Sequence, residues 1–239
     1  GVDKTGYMME KKSLKSQMSA LIGIPVGDLS KRDIGDCFSL MQLLSDRSVD
    51  SERLLERLVS ELLSGNNGTR PQELKIAYIQ AIRAWRHASR SDYLPNDANQ
   101  LPRSVYQANS ILERMLMRHE RYPKLHPPPC FEAVDALLLV CSTTPHLKHA
   151  EALVERILSD LEDRIRKGNS SLLPSTHTLA HAIDFFANQS ANHYGAANKA
   201  EDYLLHFAKL AEDGMFPVPP NTHTFNRVLK AWSDAPEEK

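Results

Sequence analysis

The chain has 239 residues, a formal net charge of −1, 41% hydrophobic and 25% charged residues. That composition excludes wholesale disorder and offers no global charge to draw the chain onto nucleic acid or an anionic membrane. Cys37, Cys130 and Cys141 are far apart with no C-x-x-C pair, which argues against a disulfide framework or a zinc knuckle; no apolar run reaches the ~18 residues of a membrane span.

Residues 1–28 read as a mixed N-terminal arm, with a basic cluster at Lys11, Lys12 and Lys15 and an extended or turning stretch at Leu21-Ile22-Gly23-Ile24-Pro25. Asp28 or Ser30 supplies a cap for a first helix over about 30–45, carrying Ile34, Cys37, Phe38, Met41 and Leu44. A second helix over 51–63 ends at Gly65-Asn66-Asn67-Gly68, residues that tolerate the left-handed conformation of a helix stop. Pro71 opens a helix to about Ser89. Residues 90–103 read as a loop that leaves the helical array, and Ser104 to Arg121 as the partner helix. After the break at Pro127-Pro128-Pro129, helices are expected over 130–142, 146–167, 175–189, 196–213 and 221–234. No run alternates with period 2, so strands are not expected. Residues 236–239 are a polar tail.

A start signal recurs. Pro220-Asn221-Thr222-His223-Thr224-Phe225-Asn226 opens the last helix, Pro174-Ser175-Thr176-His177-Thr178 opens a copy 46 residues earlier, and Pro128-Pro129-Cys130 another 46 before that. Phe225, Val228, Leu229 and Trp232 are spaced as one helical face. Ile82-Arg83-Ala84-Trp85 matches Leu229-Lys230-Ala231-Trp232 type for type, which predicts Trp85 and Trp232 in equivalent buried seams between helices. The second helices also align: Ser51-Glu52-Arg53-Leu54, Ala108-Asn109-Ser110-Ile111, Ala150-Glu151-Ala152-Leu153 and Ala200-Glu201-Asp202-Tyr203 each open with a small residue ahead of an apolar stripe, with Glu and Arg facing water. A single helix pair cannot bury such stripes alone, so four pairs and a fifth first helix should stack over 29–235 as an all-α solenoid.

Pro220-Asn221 followed by Thr224-Phe225-Asn226 and Val228-Leu229 resembles the opening of a pentatricopeptide repeat, and Ala150-Glu151-Ala152-Leu153 resembles the second helix of that repeat. The resemblance covers about residues 70–235. It implies a right-handed α-solenoid of stacked antiparallel helix pairs, location in a mitochondrion or plastid, and first helices that line a groove where side-chain pairs read single-stranded RNA bases. On that pattern Asn226 and Asn221 are the candidate base readers. The positions matched to Asn226 in the preceding copies, Ala180, Val134 and Ile79, offer no side-chain hydrogen bond.

Arg83, Arg86 and Arg90 are spaced i, i+3, i+7, and Arg83 matches Lys230. Between Arg70 and His126, ten Lys or Arg stand against five Asp or Glu. A basic groove that tracks phosphates is one reading, a solvated helix face the other. His177 and His181 lie one turn apart without a nearby third ligand, and no H-E-x-x-H occurs, so no metal or other cofactor is expected. No nucleophile elbow, phosphate loop or carboxylate pair points to an enzyme. Two readings follow: an RNA-binding protein using Arg83, Arg86, Arg90, Asn221, Asn226 and Lys230, or a protein-interaction scaffold within an organellar ribonucleoprotein such as a ribosome.

Overall fold

The computed structural model describes residues 4–43, 48–64, 71–88, 101–143, 148–167, 175–191, 193, 195–216 and 219–236. Among them the chain is all-helical, without strands: α1 (Lys4–Gly23), α2 (Lys31–Leu43), α3 (Ser48–Ser64), α4 (Pro71–Ala88), α5 (Arg103–Arg121), α6 (Phe131–Thr143), α7 (Lys148–Arg166), α8 (Thr176–Ala187), α9 (Ala196–Glu212) and α10 (Thr222–Asp234). Local chemistry sets the boundaries. Ser30 caps α2: its Oγ accepts from Asp33 N–H, and Asp33 Oδ2 accepts from Ser30 N–H at 2.8 Å. Ser175 and Asn221 build reciprocal capping boxes with Thr178 and Thr224 at the starts of α8 and α10. Pro71 takes the first position of α4, where a missing N–H costs nothing. Gly214, at φ 71°, supplies the left-handed residue that closes α9.

The first helices α4, α6, α8 and α10 pack each on the next, and each of α4, α6 and α10 also packs on the second helix before it, α3, α5 and α9. Ser51, Ala108, Ala150 and Ala200, the small residues aligned from sequence, are all fully buried. One cluster of buried side chains runs from Met18 in α1 to Val228 in α10. A continuous core of this kind is what stacked helices produce when each buries its stripe against both neighbours.

Several expectations change. The N-terminal stretch is helical through Gly23, because Met18 and Leu21 fall three apart and bury against α2 and α3. The second-helix charges do not simply face water. Arg114 of α5 reaches Glu52 and Glu56 of α3, and Lys199 of α9 reaches Glu151 and Glu155 of α7. Arg57 is buried: it pairs with Glu61 at 2.7 Å and donates to the carbonyls of Ile24 and Pro25, while Glu61 accepts from Gly27 and Leu29 N–H. Trp85 is buried as expected, but Trp232 is 45% exposed, its indole N–H donating to Glu201 at 2.9 Å. The buried residues of α10 are Thr224, Val228 and Ala231, because α10 packs chiefly on α8 and α9, and among the described residues Phe225, Leu229 and Trp232 are left exposed. Most of the expected 90–103 loop lies outside the described residues.

Candidate functional site

Three successive first helices bound a cavity of about 750 Å3. Lys75 and Arg83 of α4 form one wall, Ala136 and Leu139 of α6 the base, and His177 and His181 of α8 the opposite wall, with Pro127, Pro128 and Pro129 at the rim. The proline run has a local cause: it cannot extend α5, so it turns the chain and delivers Phe131 to the start of α6.

Charges around the cavity are largely matched in place. Lys75 Nζ donates to Glu132 at 2.8 Å, which raises the lysine pKa and lowers that of the carboxyl. Asp135 is 8% exposed and accepts from Ser175 Oγ at 2.9 Å and Thr178 Oγ1 at 2.5 Å, so α6 helps to cap α8. Burial lowers the pKa of His181, against the opposing pull of Asp135 and Asp184, and its Nδ1 has no hydrogen-bond partner. A half-buried imidazole held neutral can donate or accept, and so can address a neutral polar edge. His177 and His181 sit with ring centroids 6.4 Å apart. Burial pushes the Cys130 thiol, also on the cavity, up to about 11, leaving it a poor nucleophile at neutral pH.

Of the candidate RNA-binding residues that are described, Arg83 alone lines this cavity, where it is exposed. Arg86 is half-buried one turn further along α4, near enough to His181 to disfavour its protonation. Arg90 lies outside the described residues. Asn226 and Lys230 are exposed on α10, away from the cavity. Asn221 caps α10: its Oδ1 accepts from Thr224 N–H at 3.0 Å and Thr224 Oγ1 at 2.9 Å, so its acceptor is already engaged.

Register needs one correction. The carbonyls of Cys130, Ser175 and Asn221 accept from Val134, Leu179 and Phe225, four residues on in each case. The residue of α6 equivalent to Asn226 is therefore Asp135, not Val134. Asp135 is polar, yet both its oxygens serve the α8 start. Counted the same way, Leu139 and Asp184 stand at the level of Lys230 in α6 and α8, and Asp184 is bound by Arg227. Arg83 and Lys230 are both exposed, but among the described residues no unbroken line of cations joins them.

Sequence reasoning passed over Lys75 and Asp135, and took Pro127-Pro128-Pro129 as a helix break without a place at a site. The helix starts would have located Asp135, had they been aligned on caps rather than prolines. Among the described residues no group of three His, Cys, Asp or Glu side chains comes together to hold a metal, and no helix is long and apolar enough to cross a membrane. Comparison with protein-family models, with curated proteins and with solved structures found no match in any of the three.

Proposed function

We propose that this chain is an organellar helical-repeat protein, a right-handed α-solenoid of antiparallel pairs of the pentatricopeptide kind, that binds single-stranded RNA along its first helices with little base specificity. The observation that supports it is the cavity bounded by α4, α6 and α8, with Lys75, Arg83, His177 and His181 around apolar Phe131, Ala136 and Leu139. Apolar surface suits the face of an unstacked base, and the cations suit its phosphate. Weak specificity follows from the positions equivalent to Asn226. Ala180 cannot hydrogen-bond a base edge, Asp135 is committed to Ser175 and Thr178, and Lys75, at the same count from the start of α4, is held by Glu132.

The test is binding of several RNA homopolymers at a series of salt concentrations. Wild type should bind all of them, with affinity falling as salt rises. Replacing Arg83, Arg86 and Arg90 by Ala should weaken every homopolymer alike and lower the salt slope by about one unit for each phosphate no longer neutralised. Asn226→Ala should alter the preference at one nucleotide at most. An unchanged slope in the triple variant would remove the arginines from the interface while leaving RNA binding intact.

The second reading is a scaffold within an organellar ribonucleoprotein, its cavity occupied by a protein segment. It is favoured by the matched charge: Glu132, Asp135 and Asp184 interrupt the basic track between Arg83 and Lys230. Absence of salt-dependent RNA binding in wild type would select it.

A further inference from the structure

Among the described residues, His126 is the one buried side chain with two polar atoms that find no hydrogen-bond partner. It is 1% exposed. A neutral imidazole carries one N–H and one acceptor, so here both stand idle. Buried polar groups are normally paired, and one that is not calls for an explanation.

The surroundings oppose a proton on this ring. The charged groups that bear on it are Arg118 and His119 of α5, and both disfavour a further positive charge. The Glu56 carboxylate of α3 and the Tyr78 hydroxyl of α4 are taken by Arg118, at 2.7 and 3.0 Å. The Tyr122 ring lies 6.3 Å away between centroids. An imidazolium in this seat would be desolvated beside a guanidinium, with two N–H groups and no acceptor.

The backbone makes the same position a joint. His126 N–H donates to the Tyr122 carbonyl at 3.0 Å, and its own carbonyl accepts from His119 Nδ1 at 3.0 Å. Pro127, Pro128 and Pro129 follow, and none has an N–H to donate. Among the described residues the next backbone bond of this turn is Ala133 N–H to the Cys130 carbonyl, at the start of α6. The polyproline rim of the cavity is thus tied to α5 through His126, and its fixed φ angles let it move as one piece.

We propose that His126 is a proton-operated latch on the cavity. With the ring neutral and seated, Pro127, Pro128 and Pro129 stand against the cavity. The ring takes a proton only out of its seat, in water, and the rim then swings away. Mild acid opens the cavity and releases what it holds. The latch acts whatever fills the cavity, so it does not rest on the RNA reading. Out of its seat the histidine has an ordinary pKa of about 6.5, and seated it has a lower one, so opening is favoured as pH falls below that value. One such proton can raise the open fraction at most about tenfold between pH 7.5 and 5.5.

Cys130 reports on the rim directly: it follows Pro129, lines the cavity and is 8% exposed. The experiment is reaction of the full chain with a pyridyl disulfide from about pH 7.5 to 5.5, with the labelled cysteine located by mass spectrometry. Each rate is divided by that of the same cysteine in the urea-unfolded chain at the same pH, which removes the thiol's own ionisation. Cys130 should lose protection as pH falls, by several-fold and no more than about tenfold. Cys37 and Cys141, both 0% exposed, should keep theirs. His126→Leu should match wild type at pH 7.5 and stay protected throughout, because the side chain takes no proton. His126→Gln gives the same control should His126→Leu unfold. His181→Leu should retain the fall. Protection of Cys130 that is independent of pH in wild type overturns the proposal, as does an equal fall in the His126 variants. A parallel loss at Cys37 and Cys141 overturns it too, since the chain would then be unfolding as a whole.

Discussion

The two rows of helices solve one packing problem with different chemistry. Along the second helices, charge runs as a ladder: Arg114 on Glu52 and Glu56, Arg156 near Glu113, Lys199 on Glu151 and Glu155. Along the first helices the charged groups close in on themselves, with Lys75 on Glu132, Asp135 on the α8 cap and Arg227 on Asp184, and a cavity remains between α4, α6 and α8. The second row thus acts as a strut whose side chains are engaged with one another. The first row keeps space and a few convergent polar groups, the combination a binding site needs.

The contrast between the rows breaks most severely where the second row is buried. The Arg57–Glu61 pair is almost inaccessible to solvent and ties α3 to the turn before α2. Glu61→Ala removes the carboxylate that neutralises buried Arg57 and accepts from the N–H groups of Gly27 and Leu29, leaving the guanidinium, among the described residues, only the neutral carbonyl acceptors of Ile24 and Pro25. Destabilisation of about 3–5 kcal/mol is expected in urea unfolding. A loss below ~1 kcal/mol would show that water replaces the carboxylate.

Next in size is the pair of tryptophans. Trp85→Ala opens a hole in the core and should cost about 3–5 kcal/mol, whereas Trp232→Ala should cost under ~1 kcal/mol because its ring is half in water. Trp85→Phe should be milder than Trp85→Ala, since the buried indole N–H makes no hydrogen bond that would be lost. Equal losses for the two alanine variants would contradict the difference in burial between α4 and α10.

A third experiment compares polar links of the two rows directly. Asp135→Ala removes the acceptor of two hydroxyls at the start of α8 and should cost about 1–3 kcal/mol. Lys199→Ala takes the cation away from Glu151 and Glu155, yet its side chain is 40% exposed, so solvent screening should hold the loss to about 0–1 kcal/mol. Thermal unfolding of both variants measures the contrast, and a larger loss at Lys199 would reverse the ranking of the rows.

Much of the fold was legible because the helix ends carry their own signals. Ser30, Pro71, Ser175, Asn221 and Gly214 each mark a boundary through a cap, a fixed φ or a left-handed turn. The small residues Ser51, Ala108, Ala150 and Ala200 likewise announced close helix packing. Register at α6 was harder. Pro128 and Pro174 are 46 residues apart, but the first helical carbonyls, Cys130 and Ser175, are 45 apart, and Cys130 lacks the oxygen that would have marked the start. The face of α10 misled for another reason. Apolar spacing shows which residues can be buried together, while burial itself depends on a neighbour, and none among the described residues buries Phe225, Leu229 and Trp232. The cavity was illegible because Arg83, Leu139 and His181 are brought together by stacking, with no local pattern linking them.

The smallest effect concerns pH and distinguishes a structural histidine from one on the cavity. His126 is 1% exposed, neither ring nitrogen has a hydrogen-bond partner, and burial, then Arg118 and His119, lower its pKa. A histidine whose folded pKa lies below its unfolded value of about 6.5 contributes fully above that value. Its contribution is lost as pH falls from there toward the folded pKa, because the unfolded chain takes up the proton first. Stability should therefore decline as pH falls below about 6.5, and His126→Leu should flatten part of that decline while leaving the urea midpoint at pH 7.5 nearly unchanged. His181→Leu should flatten a further part, since its pKa is lowered too, and in addition should alter ligand binding at the cavity, which His126→Leu should not. The slopes of urea midpoint against pH for wild type and both variants, measured beside RNA binding at pH 7.5, separate the two roles. A wild-type stability that is flat across this range would mean that neither imidazole resists protonation as its burial requires.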